Sequence, residues 1–216
     1  MDQMQTGETR LAALAANFEP SGNLRLDMAH FLQLHGHTET AGHCARVAAE
    51  AKRLAERFGA DATAAEAAGL LHDISTVIPN AERIAAAHEF AVPVLPEEAH
   101  FPMIIHQKLS VILARELFGV TDAATLSAIG CHTTLKADAS LLDKVVFIAD
   151  KIAWDQPGTP PYLNDLLSAL ARSLDQGVFV YLDFLWQQRA TLRVVHPWLR
   201  DAHGQMVTHL SSQLLQ

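Results

Sequence analysis

The chain has 216 residues, a formal net charge of −8 and 19% charged residues. An acidic surface repels a nucleic-acid backbone, so no nucleic-acid partner is expected. No apolar run reaches the ~18 residues that would span a bilayer, so no membrane partner is expected either. Cys44 and Cys131 are too few for a disulfide framework or a thiolate zinc site. The opening MDQMQTGETR lacks a basic segment followed by an apolar one. These features read as a reduced, cytoplasmic protein. The odd count is histidine, with 12 spread from His30 to His209.

The periodicity is helical almost throughout. Residues 1–36 are expected to form one or two helices that precede the main domain, residues 37–216. From His43, the residues Val47, Ala51, Leu54, Ala55 and Phe58 recur at spacings of three and four. Gly59 ends that helix, and Asp61 caps the next, which runs through alanines to His72. A loop–helix–loop excursion around AERIAAAHEF follows, with proline at Pro79, Pro93, Pro96 and Pro102. His106, Leu109, Ser110, Leu113 and Leu117 then share a stripe that closes at Gly119. Asp122 starts a short helix carrying Leu126 and Ile129 toward His132. Ser140 opens SLLDKVVFIADKIAW, which is apolar almost all round and so expected to be buried. DQPGTPPY is a rigid loop, and helices near 163–174 and 178–190 come after it. LRVVHPW is short and ends beside a proline, so little or no sheet is expected.

Several polar residues stand on these apolar stripes. His43 and His106 each head one, His72 and Asp73 close a third, His132 lies one turn beyond Leu126 and Ile129, and Asp150 sits in the helix with almost no polar face. Any one of them alone reads as a hydrogen-bonded core residue or an ion-pair partner. Together they would each need a separate buried partner, at several kcal/mol for each failure. One divalent metal, or a pair, satisfies all six. Imidazole and carboxylate suit zinc, iron or manganese better than calcium, and separate helices of a bundle can converge such ligands.

The ordered set His43, His72–Asp73, His106, His132, Asp150 resembles the HD-domain metal-dependent phosphohydrolases. The likeness is strongest to the YqeK-like symmetrical diadenosine tetraphosphate hydrolases. The stretches that carry it are GHCARVAAEAKRLA, FGADATAAEAAGLLHDI, IIHQKLSVILARELFGV, CHTTL and LLDKVVFIADKI, and His196-Pro197-Trp198 is similar to a late motif of that family. The resemblance implies an all-α HD-domain bundle with a metal site in its core. It implies one or two divalent transition metals per chain, with iron expected and manganese, cobalt or zinc as alternatives. His43, His72, Asp73 and Asp150 would hold the first; His106 and His132, with Asp73 bridging, would hold a second. Asp73, His106 and His132 are the implied catalytic residues, and the implied reaction is attack of a metal-activated hydroxide on phosphorus.

This sequence departs from the family pattern around the phosphate. Thr76 stands in place of a lysine, Gln107–Lys108 in place of glycine–proline, Leu135 in place of glycine, and Thr40 in place of an arginine. Thr133, Lys108, Lys136 and Lys151 are candidate phosphate contacts, with solvated surface positions as the plainer reading. Trp154, Tyr162 and Trp198 are candidates to stack on a base, or core anchors. The expected function is hydrolysis of nucleotides or dinucleoside polyphosphates, with diadenosine tetraphosphate favoured. A nucleoside monophosphatase and a non-catalytic nucleotide-binding module are the alternatives. The partner is thus a small nucleotide, and a homodimer is compatible with the sequence.

Overall fold

The computed structural model describes residues 3–213, and among them there is no β-strand. In chain order the helices are α1 (Gln3–Leu14), α2 (Leu24–Leu34), α3 (Thr38–Phe58), α4 (Ala62–Leu71), α5 (Arg83–Glu89), α6 (Pro96–His100), α7 (His106–Glu116), α8 (Ala123–Gly130), α9 (Leu141–Ile152), α10 (Leu163–Leu170), α11 (Leu174–Gln187) and α12 (Pro197–Gln213). Short 3-10 turns occupy Ile74–Val77 and Asn80–Glu82. No helix among the described residues is long and apolar enough to cross a membrane.

Local chemistry sets the helix ends. Gly59 adopts φ +81°, and its N–H closes α3 on the Ala55 carbonyl. The Asp61 carboxylate accepts from the N–H groups of Thr63 and Ala64 at the start of α4. Asp122 does the same for α8 through Thr125, and Ser140 with Asp143 forms a reciprocal box at the start of α9. α3 begins at Thr38, a full turn before its apolar stripe, so His43 lies in the second turn. Residues 192–196 of LRVVHPW form bends and irregular chain, and Pro197 opens α12 at the helix position proline tolerates.

The centre of the molecule is α3 packed on α4, with α9 and α8 closing over them and α7 against α8. α9 buries Leu142, Val145, Val146, Phe147, Ile148 and Ala149, as its nearly unbroken apolar surface requires. α3 and α4 approach closely because their facing residues are small. A Cβ on Gly69 would lie 2.6 Å from the Ala48 Cα and 2.8 Å from its nitrogen, so only glycine fits. This contact fixes the height of His72, three residues on.

The N-terminal helices join this frame. Phe31 of α2 is fully buried and packs edge-on against Phe18 and Phe118, at ring distances of 5.0 and 5.5 Å. α1 lies on α5, where Arg10 pairs with Glu82 and Glu89.

Gly69→Ala is expected to lower the unfolding free energy by about 3 kcal/mol, the upper end for overpacking, because the obstructing atoms are backbone. Denaturant melts measure this. The same variant should lose metal content measured by elemental analysis, since α4 must move away from α3 and take His72 with it.

Candidate metal centre

Five elements meet at the centre. α3 contributes His43, the C-terminus of α4 contributes His72 and Asp73, α7 contributes its first residue His106, the turn after α8 contributes His132, and the last turn of α9 contributes Asp150. All four imidazoles are buried.

Each imidazole is oriented by a backbone carbonyl at Nδ1. His43 faces Ala153 O at 3.2 Å, His72 faces Gly69 O at 2.9 Å, His132 faces Ile129 O at 2.8 Å, and His106 faces Met103 O. A carbonyl only accepts, so each Nδ1 carries a proton and Nε2 is the ring atom left to meet the centre. Those four Nε2 atoms converge. His43 and His72 are 3.2 Å apart at Nε2, and His106 and His132 are 3.0 Å apart. Between the two pairs sits the Asp73 carboxylate. Its Oδ1 is 3.1 Å from His106 and 3.4 Å from His132, while its Oδ2 is 3.5 Å from His72 and 4.0 Å from His43. Asp150 Oδ1 closes the first pair, 3.1 Å from His43 and 3.6 Å from His72.

The electrostatics are those of a ligand set. Burial opposes ionisation of Asp73, but the neighbouring His72, His106 and His132 override it and hold its carboxyl well below the usual carboxylate range. Asp150 is held down in the same way, by Lys151 and by His43 and His72. Burial pushes His132 down to about 4, so this ring is neutral at neutral pH. Four Nε2 atoms and two carboxylates therefore crowd together, an arrangement that is unfavourable unless cations, protons or a metal ion, are shared among them. The residues fit a divalent metal, and two sets of donor atoms meet the spacing such an ion needs: His43, His72, Asp150 and His72, Asp73, His132.

Further side chains set this cluster rigidly. Ser75 Oγ donates to His106 O at 2.8 Å and receives a bond from Ser110 Oγ at 3.0 Å, tying the turn after Asp73 to α7. Gln107, fully buried, grips the turn after α8: its Nε2 donates to Thr134 Oγ1 and its Oε1 accepts from Thr133 N–H. Leu135, where the family has glycine, adopts φ +40°. That φ lies in the left-handed region that favours glycine, and the leucine side chain is buried. Gln107 was not legible as a site residue, because its partners lie 26 and 27 residues away.

The candidate phosphate contacts divide. Thr133 lines the cavity, its Oγ1 3.1 Å from His106 Nε2 and 3.0 Å from His132 Nε2. Lys151 also lines it, paired with Asp150 Oδ2 and seated over the Phe147 and Tyr181 rings. Burial disfavours its charge, Asp150 overrides that, and the ammonium is retained. Lys108 and Lys136 do not face the centre. They border a separate hollow beside Cys131 and Trp198. Lys108 bonds to the buried Glu98 at 2.8 Å, and Lys136 bonds to Ser127 at 2.6 Å with Asp143 at 3.4 Å. Both lysines answer acids on a neighbouring element, Glu98 of α6 and Asp143 of α9, which periodicity does not reveal. His196 also serves Glu98, at 3.4 Å, so the HPW stretch braces α6 rather than the centre. The cavity has a volume of about 170 Å³, and Trp154, Asp155 and Tyr181 complete it.

The molecule is thus an all-α bundle that brings a His/Asp cluster with metal-ligand spacing together at its centre. The chain belongs to the HD domain family, whose profile matches residues 40–155. It is 48% identical over 144 residues to an uncharacterised protein in the pepC 5′ region of Lactococcus lactis subsp. cremoris, which is 67% of this chain and 73% of that one. It is 36% identical over 112 residues to the symmetrical bis(5′-nucleosyl)-tetraphosphatase of Bacillus subtilis, 51% of this chain and 59% of the relative. The enzyme of the same name from Staphylococcus aureus is 30% identical over 142 residues, 63% of this chain and 70% of that one. Among solved structures, a predicted HD superfamily hydrolase involved in NAD metabolism from Clostridium acetobutylicum superimposes with a TM-score of 0.72 at 21% identity, covering 94% of this chain and 97% of that one. That likeness shows the fold. The chain is thus a hydrolase of the HD family.

Glu98 generates a pH prediction. Burial raises its pKa, and His196, the Leu95 N–H and Lys108 together override this and hold it below the usual range. A depressed carboxylate stabilises the fold above its unfolded value, ~4.3, and loses that contribution as pH falls through the folded value. Glu98→Gln should therefore cost about 3 kcal/mol near pH 7, the low end for breaking a buried pair because Lys108 retains some access to water. The cost should shrink below about pH 4, as urea melts at the two pH values would measure.

Proposed function

We propose that the chain hydrolyses phosphate bonds in small nucleotides, with symmetrical dinucleoside tetraphosphates as the favoured substrates. The observation that carries this is the Asp73 carboxylate held between two pairs of inward-facing Nε2 atoms, an arrangement that needs cations. His43, His72, Asp150 and Asp73 Oδ2 would hold one divalent transition metal, iron in the favoured case. His106, His132 and Asp73 Oδ1 would hold a second. When bound, such ions neutralise phosphoryl oxygens and lower the pKa of water toward neutrality.

The chain's own groups supply the rest. Asp73, kept ionised between the two pairs of imidazoles, would orient the attacking water. Lys151 fixes Asp150 by occupying its Oδ2, leaving Oδ1 for the metal. Thr133 offers a hydroxyl at the edge of the His106–His132 pair for a phosphoryl oxygen. The names of the Bacillus subtilis and Staphylococcus aureus relatives support the tetraphosphate substrate. The departures from the tetraphosphatase pattern at Thr40, Thr76 and Leu135 favour a nucleoside monophosphate as the second reading.

Anaerobic purification with elemental analysis is expected to give at least one transition metal per chain. Replacing His72 and Asp73 together by alanine should remove both the metal and the release of nucleotide from diadenosine tetraphosphate. Activity that survives in this double variant rules out the reading. Comparing diadenosine tetraphosphate with deoxynucleoside monophosphates as substrates separates the two cases.

A further inference from the structure

Beside the metal cavity lies a second hollow of about 490 Å³ that shares His43, Asp73 and Asp155 with it. The metal cavity alone, at about 170 Å³, is smaller than the ~300–1,000 Å³ of ordinary small-molecule sites, whereas the second hollow lies within that range. Its floor is the face of α3 that delivers His43. Residues 39, 42, 43 and 46 fall on one helix face by their spacing. Gly42 in the middle contributes no side chain, and a Cβ there would have only Arg46 Nη1 nearby, at 3.6 Å.

Three charged groups on this wall lack partners. The Arg46 guanidinium makes no ion pair or hydrogen bond with any described residue, although Arg10, Arg25, Arg53 and Arg200 are all paired. Glu39 and Asp155 likewise have no cation among the described residues. Next to Asp155, the Trp154 indole Nε1–H is buried with no acceptor, and Trp154 lines the adjoining metal cavity. An unsatisfied buried donor calls for an acceptor that arrives with a ligand.

The mixture of charges selects the ligand. A bare polyphosphate would be attracted by Arg46 and repelled by two carboxylates. A sugar phosphate meets all three, because its anion suits the guanidinium and its hydroxyls donate to the acids. We propose that this hollow binds the nucleotide portion of the substrate beyond the cleaved phosphorus, with Arg46 holding a phosphate and Glu39 and Asp155 accepting hydrogen bonds from sugar hydroxyls. The proposal rests on the hydrolytic reading above.

The test titrates ADP and inorganic tripolyphosphate calorimetrically into the metal-loaded protein, alongside kinetics on diadenosine tetraphosphate and on p-nitrophenyl phosphate, which has no sugar. Arg46→Ala should weaken ADP binding and raise KM for the dinucleotide at least about tenfold, the loss of a charge-assisted bond. Turnover of p-nitrophenyl phosphate should change by less than about twofold. Arg46→Lys, which keeps the charge and loses the fork, should fall between. Glu39→Gln should weaken ADP and tighten tripolyphosphate, opposite signs that a merely structural role would not give. Both positions are exposed and unpaired, so the variants should melt with the wild type. If Arg46→Ala binds ADP as the wild type does, the hollow is not a nucleotide subsite. A wild-type protein inert toward every nucleotide defeats the hydrolytic reading instead, and the ADP titration still decides the hollow.

Discussion

The carbonyl bond at Nδ1 of each central imidazole is the constraint on which the site depends. It keeps a proton on Nδ1, aims Nε2 inward, and in each case ties the ring to the backbone of a helix end or turn. His72, His106 and His132 use the carbonyl three residues earlier, so those three rings are oriented by local chain geometry. His43 uses Ala153 at the end of α9, so its orientation depends on α3 and α9 being correctly packed. The centre is therefore a readout of tertiary structure at one point and of local turns at three.

That division explains why the bundle carries so much packing around so few polar atoms. Inward-facing acceptors oppose folding, since each buried polar group without a partner costs on the order of 1–3 kcal/mol. The alanine-lined contact of α3 with α4 and the buried length of α9 hold the acceptors together regardless. In the proposed centre, metal binding would convert a destabilising cluster into a stabilising one and so link metal affinity to folding stability.

Much of the centre was legible in the sequence for a physical reason. Its candidate ligands sit at helix ends or on apolar stripes, where polar residues are out of pattern. The helices follow for the same reason, from spacing and from caps such as Asp61, Asp122 and Ser140. What the sequence concealed were side chains whose role depends on partners on other elements. Lys108 and Lys136 resemble phosphate contacts until Glu98 and Asp143 are found against them. Gln107 looks like a substitute for a family glycine until it is seen gripping Thr133 and Thr134. Tyr181 reaches the cavity from α11, a helix that contributes none of the candidate ligands, and no spacing rule points to it. The first helices are similar: Phe31 is simply one apolar residue among many until Phe18 and Phe118 enclose it.

The charge distribution poses a last question, since an anionic substrate must approach a chain of net charge −8. Surface charge acts at range and is screened over about 8 Å at physiological salt, so it bears on the approach more than on the bound state. Within the site the balance differs. Lys151 is neutralised by Asp150, and the remaining carboxylates belong to the proposed ligand set or face the neighbouring hollow. In the proposed centre bound cations would reverse the local sign, which would make metal occupancy a condition for substrate entry as well as for chemistry.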